Sequence, residues 1–135
     1  MNLTVDILAT LSKRNYFKKR LKAILEPDIA KDGHTSYNYA HLILGKRFPE
    51  GEEAIAAGGY AAIYAHYVLR GPFPLGEYAI AVNTNNAYWY AVRELVGRFE
   101  LGEVEIRKDY RYAEAYQKFL EEKGIKLPNG WGMNR

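Results

Sequence analysis

The sequence contains no cysteine. Disulfides, thiolate-bound zinc, iron–sulfur clusters and thiol nucleophiles are excluded together, which suits a reducing compartment. Long apolar runs are missing as well, since the longest is a few residues against the roughly 20 that cross a bilayer. The opening stretch MNLTVDILATLSKRNYF sets its apolar residues ahead of its basic cluster and has no small-residue cleavage site, the reverse of a secretory signal. A soluble, cytoplasmic protein is expected. Also absent are the Gly-x-Ser-x-Gly elbow, a Walker-type phosphate loop, a His-Glu-x-x-His pair and the dinucleotide glycine fingerprint. A non-enzymatic protein is therefore expected, with no catalytic residue, metal site or cofactor to assign.

What is present is one phrase, spoken three times. The chain reads YAHLILGKRFPEGEEAI from Tyr39, YAHYVLRGPFPLGEYAI from Tyr64 and YAVRELVGRFELGEVEI from Tyr90, at spacings of 25 and 26 residues. Such regularity is the signature of a repeat array. Each copy opens on Tyr-Ala, places a Phe nine residues later and closes on Gly-Glu and Ile. Partial copies flank the three. LEPDIA from Leu25 aligns with the Gly-Glu-x-x-Ile end, and Tyr116 lies 26 residues after Tyr90.

Within a copy, the apolar spacing predicts a long helix of about three turns and a short one of about two. Thr35 or Ser36 is expected to cap the first long helix, Asn85 or Asn86 the third and Asp109 the fourth, while the second enters tightly through Gly58-Gly59-Tyr60. Gly45, displaced relative to its counterparts, and Gly71 and Gly97 are expected to take the left-handed conformation that stops each long helix. Phe48, Phe73 and Phe99 then fold back on the last turn, and Pro49 and Pro74 prevent the helix from continuing. Glu52, Glu77 and Glu103 fall in the first turn of the short helix, where the helix dipole favours a carboxylate and where Arg47 or Arg98 stands five residues earlier. Neither helix buries its apolar face alone, so stacking is the expected remedy. The fold class is all-α, with about three and a half long-helix/short-helix repeats of 25–26 residues behind an N-terminal amphipathic helix or helix pair.

At 135 residues, 48% hydrophobic and 26% charged, the chain reads as a single domain. Residues 1–33 form a basic helical segment with a degenerate repeat end, 34–123 the repeats and 124–135 a tail. Apolar residues from Leu3 to Leu25 follow a helical period, either in one helix or in two that break near Ser12. In the tail, Ile125, Leu127 and Trp131 are able to dock on the body.

Three groups stand out as candidate sites. The first is basic: Lys13, Arg14, Lys18, Lys19, Arg20 and Lys22 crowd residues 12–22 with no acid among them, although net charge is only +3. Such a stripe is able to track a phosphate backbone, or it is the solvated outer face of an end helix. The second is aromatic, since 12 Tyr stand against 5 Phe and 2 Trp. Tyr60, Tyr64 and Tyr67 share a helical face and are expected to be partly core. Tyr88, Trp89 and Tyr90 cannot all point inward, so Tyr88 or Trp89 must be exposed. Tyr60, Tyr67, Tyr88 and Trp89 are accordingly the candidate protein-binding residues. The third is His41 and His66, which fill one slot in successive copies, but the third copy has Val92 there. A half-buried, hydrogen-bonded histidine is the expectation.

The phrase YA-x-x-x-x-L-x-G-x-F-P-x-G-E-x-x-I, as in Tyr64 to Ile80, resembles a short helical repeat of small predicted proteins of tailed bacteriophages. The likeness spans roughly Ile29 to Leu120, and the chain departs from it at Lys46 and at Glu100. The resemblance implies a phage accessory protein acting in the host cytoplasm, with no activity attached. Two functions are consistent with these residues. One is a protein-binding module directed at a host or defence factor as an inhibitor, and the other is a nucleic-acid-binding accessory protein that uses the basic helix. Self-association through the stack ends is a further possibility, and no membrane contact is expected.

Overall fold

The computed structural model describes residues 15–131 of the chain. Among them there is no strand, and the protein is all-α. Helix α1 (Asn15–Ile29) precedes three helix pairs. In the first, α2 runs as α-helix over Gly33–Asn38 and widens into π turns over Tyr39–Leu44. Its partner α3 opens as a 3₁₀ turn, Pro49–Gly51, and continues as Glu52–Ala56. The second pair is α4 (Ala61–Tyr64, π turns Ala65–Leu69) and α5 (Pro74–Gly76, Glu77–Ala81). The third is α6 (Thr84–Trp89, π turns Tyr90–Leu95) and α7 (Glu100–Gly102, Glu103–Arg107). Helix α8 (Tyr110–Glu122) follows.

The pairs stack in register. The π segments of α2, α4 and α6 touch in that order, while α3 meets the opening turn of α5, and α5 that of α7. Long helices thus form one layer and short helices the other, a two-layer solenoid. Between the layers lie Tyr39, Tyr64, Tyr90 and Tyr116, each at most 2% exposed, together with the alanines that follow the first three and with Ile29, Ile55, Ile80 and Ile106.

Each letter of the repeated phrase has a mechanical reason. The tyrosine hydroxyl of one unit reaches back to the unit before it. Tyr64 donates to Glu52 (2.6 Å) while accepting from the backbone N–H of Phe48 (2.9 Å). Tyr90 does the same with Glu77 and Phe73, and Tyr116 with Glu103 and Phe99. Tyr39 donates to Glu26, so the latch extends into α1. Arg47 and Arg98 grip Glu52 and Glu103 from the other side, each through two N–H groups. The second unit has Pro72 where an arginine would stand, and its latch lacks that clamp. The phenylalanines lie against their own unit's tyrosine, with ring centroids 4.9–5.0 Å apart. The glycine before each glutamate is required because a Cβ on Gly76 or Gly102 would stand 2.6 Å from the ring of Phe73 or Phe99.

Several local expectations are corrected. The first and third long helices start earlier than expected, so their caps are Asp32, which accepts from the Thr35 N–H, and Asn83, which accepts from the Asn86 N–H. Thr35 and Ser36 lie inside α2, where Ser36 donates to the Ile29 carbonyl. Asp109 caps α8 as expected, and Tyr60, in the cap position of α4, makes no side-chain cap hydrogen bond. The left-handed slot is the sixth residue after each tyrosine, held by Gly45 (φ 65°), Arg70 (φ 54°) and Val96 (φ 48°). Gly71 and Gly97 follow that slot instead of filling it. The π turn explains the offset, because the N–H of the left-handed residue reaches five residues back to Ala40, Ala65 or Ala91. At the amino end, α1 runs unbroken through Pro27 to Ile29 and carries the degenerate repeat end within it. The break proposed at Ser12 lies outside the described residues. The tail docks: Trp131 packs on Tyr116 at 5.3 Å and its Nε1 donates to the Ala113 carbonyl.

Candidate functional site

Two surfaces remain once the repeat has been accounted for. The first lies on the long-helix layer. A ladder of rings runs from Tyr60 over Tyr37 and His41 to Tyr67 and His66, with successive centroids 4.7–6.1 Å apart. Tyr60 anchors one end through its hydroxyl, 2.7 Å from Nδ1 of His34. Tyr67, 53% exposed, stands at the other end. Of the three tyrosines expected to share a face, Tyr64 is core, Tyr60 is half-buried against the core and Tyr67 is exposed. The widening at Ala65 turns Tyr67 outward.

Beyond Tyr67 the surface dips between α4 and α6. One cleft of about 410 Å³ is lined by His41, His66, Tyr67, Arg70, Arg93 and Glu94. A second, of about 220 Å³, shares His66, Tyr67, Arg93 and Glu94 with it and adds Trp89 and the amides Asn85 and Asn86. The two form one groove, and its chemistry is concentrated at the π segments. His66 Nδ1 is 2.9 Å from a Glu94 carboxylate oxygen, and that carboxyl is only 5% exposed. Burial pushes the Glu94 carboxyl above the ordinary carboxylate value, against the opposite pull of His66. The Arg93 guanidinium lies over Trp89 at 4.3 Å.

Of the four aromatic candidates, Tyr67 and Trp89 meet in this groove. Tyr60 belongs to the far end of the ladder, and Tyr88 is half-buried against Tyr112. The histidines do come together on one cleft, with the Tyr67 ring against each. Among the described residues no cluster of three metal-ligating side chains forms.

The second surface is the outer face of the short helices. Leu75, Tyr78 and Val82 recur at i, i+3 and i+7 on the second unit and stand exposed, Tyr78 at 77%. Leu101 and Val104 hold the first two of these slots on the third unit, with Val104 at 71%. Glu50, Glu53 and Ala57 fill the same slots on the first unit. Lys108 holds the third slot on the third unit, so the stripe is apolar along the second unit, apolar and then basic along the third, and acidic along the first.

The basic segment is partly outside the described residues, as Lys13 and Arg14 are. Lys18 lies in α1, Lys19 and Arg20 are exposed and Lys22 is half-buried. No helix of the described residues is long and apolar enough to cross a membrane.

Arg70, Arg93, Glu94 and the short-helix stripe were not picked out from the sequence. The signal that finds them is a slot-by-slot comparison of the copies. No family model matches the chain, and no curated protein or solved structure matches it.

Proposed function

We infer that the chain is a non-enzymatic interaction module that docks a partner protein on the outer face of α5 and α7. The observation that carries this reading is the exposed stripe Leu75, Tyr78, Val82, Leu101 and Val104. Nothing in the repeat demands apolar residues there, because the first unit folds with Glu50, Glu53 and Ala57 in those slots. Contiguous exposed apolar surface on a soluble helical stack marks an interaction site, and rigid aromatic and aliphatic anchors are the residues interfaces use. The acidic continuation on α3 specifies the occupant further: a partner segment whose apolar side chains cover α5 and α7 and whose basic residues face Glu50 and Glu53. The resemblance to a phage repeat supports a host or defence factor as that partner, with the chain acting as an accessory inhibitor in the host cytoplasm.

The test compares the wild type with Tyr78→Glu/Val104→Glu in affinity capture from host lysate, with light scattering on both. A stoichiometric partner held by the wild type and lost by the variant, both remaining monomeric and folded by circular dichroism, is the expected result. Concentration-dependent dimers lost in the variant would instead assign the stripe to self-association. A partner retained equally by both proteins would overturn the assignment. The competing reading, nucleic-acid binding through α1, draws on the exposure of Lys19 and Arg20 and predicts retention of DNA or RNA at low salt that Lys18→Glu/Lys19→Glu/Lys22→Glu abolishes.

A further inference from the structure

We propose that the groove between α4 and α6 binds a small phosphate monoester that carries a planar ring, with Arg70, Arg93 and His66 holding the phosphate. The repeat provides its own control. Arg70 occupies the slot of Gly45 and Val96, Arg93 that of Leu42 and Tyr67, and Glu94 that of Ile43 and Val68. The fold therefore accepts glycine or an apolar residue at all three positions. The second and third units nevertheless place charged groups there, and all three line one cleft.

One of these departures works against stability. A buried carboxyl replaces an aliphatic side chain at Glu94, which costs free energy that a hydrogen bond only partly recovers. The left-handed backbone of Arg70 belongs to its slot, since Val96 shares it, so what is particular to the second unit there is the guanidinium. A buried carboxyl and two guanidiniums gathered around one cleft are the marks of a site.

The geometry specifies the ligand class. Glu94 engages Nδ1 of His66 and so fixes the ring, leaving Nε2 as the remaining polar atom of the imidazole. Against this single carboxylate, already engaged by His66, the cleft sets two guanidiniums and a second imidazole, His41. One guanidinium fork satisfies a planar carboxylate, whereas two forks and the Nε2–H of an imidazolium suit the three terminal oxygens of a phosphate. The adjoining cleft adds an indole, a phenol ring and two side-chain amides, the groups that stack on and hydrogen-bond a planar heterocycle. About 410 Å³ in the first cleft is of the size that small-molecule sites have. This groove belongs to the long-helix layer, and the docking stripe to the short-helix layer.

Titration calorimetry on the full chain with AMP, ribose 5-phosphate and adenosine tests the proposal, alongside Arg70→Gly, Arg93→Leu and Glu94→Val. Each variant installs a residue that another copy already carries in that slot, so the fold is retained, and thermal melts without ligand check this. AMP is expected to bind and to raise Tm. Each arginine variant is expected to weaken AMP at least about tenfold, the loss of one charge-assisted contact. Failure of AMP to bind at millimolar concentration, or equal affinity in the folded arginine variants, overturns the proposal. Adenosine binding as tightly as AMP overturns the phosphate assignment, and ribose 5-phosphate matching AMP overturns the planar-ring assignment.

Discussion

At the scale of single residues, the repeat depends on groups that have no substitute. Glycine at position 76 is one: an added Cβ would stand 2.6 Å from Phe73 Cδ2 and 2.9 Å from the Ala61 Cβ. Gly76→Ala is expected to cost about 1–3 kcal/mol by overpacking, read from urea melts. Val96 is the opposite case. A β-branched residue in the left-handed region is strained, and the first unit shows glycine in that slot. Val96→Gly is expected to raise stability by up to about 1 kcal/mol, the left-handed penalty less the entropy that glycine adds to the unfolded chain; a lower melting temperature would refute it. Tyr64→Phe removes the only side-chain oxygen bonded to the Phe48 N–H and one partner of Glu52. A loss of about 1–3 kcal/mol is expected, because the buried N–H is left unpaired.

At the scale of the element, the latch between units is a titrating device. Burial pushes the Glu52 and Glu103 carboxyls up, but the arginine pair and the tyrosine hydroxyl outweigh it and hold both below the ordinary value of 4.5. Their contribution is therefore complete above pH 4.5 and is lost as pH falls through the lower folded values. The tyrosines shift the other way. Burial and the facing carboxylate raise Tyr64, Tyr90 and Tyr116 well above 10.0, so their stabilisation holds below pH 10 and disappears as pH climbs beyond it. Denaturant midpoints plotted against pH should fall at both ends, and tyrosinate absorbance should lag behind that of a free-tyrosine control. Arg98→Ala should shift the acid limb towards neutrality; an unmoved limb would show that the tyrosine alone depresses Glu103.

For the molecule as a whole, the main contacts among the described residues run between neighbouring units, so stability approximates a sum of unit and interface contributions. Tyr39→Phe and Tyr116→Phe break latches at opposite ends of the stack and share no partner. Their effects should add to within about 0.5 kcal/mol, whereas Tyr64→Phe and Tyr90→Phe, in adjacent units, should couple. Strict additivity in both pairs would mean that the latches act in isolation. The two free surfaces also separate at this scale. The apolar stripe belongs to the short-helix layer and the charged groove to the long-helix layer, so a variant in one should leave the other's binding intact.

The sequence by itself determined the architecture, because a helical period repeated at 25–26 residues leaves stacking as the way to bury every apolar face. Phe48, Phe73 and Phe99, the isoleucines and the arginine–glutamate pairs were legible from local spacing, which is a property of neighbours along the chain. Only the tertiary structure decided what tyrosine is for, since its hydroxyl meets a carboxylate 12 or 13 residues earlier in a different unit. The π turns were equally hidden, and with them the true left-handed slot, because apolar spacing does not distinguish a turn of α-helix from a wider one. The groove needed the fold most of all. His66 and Glu94 are 28 residues apart in sequence and become partners because stacking sets α4 beside α6.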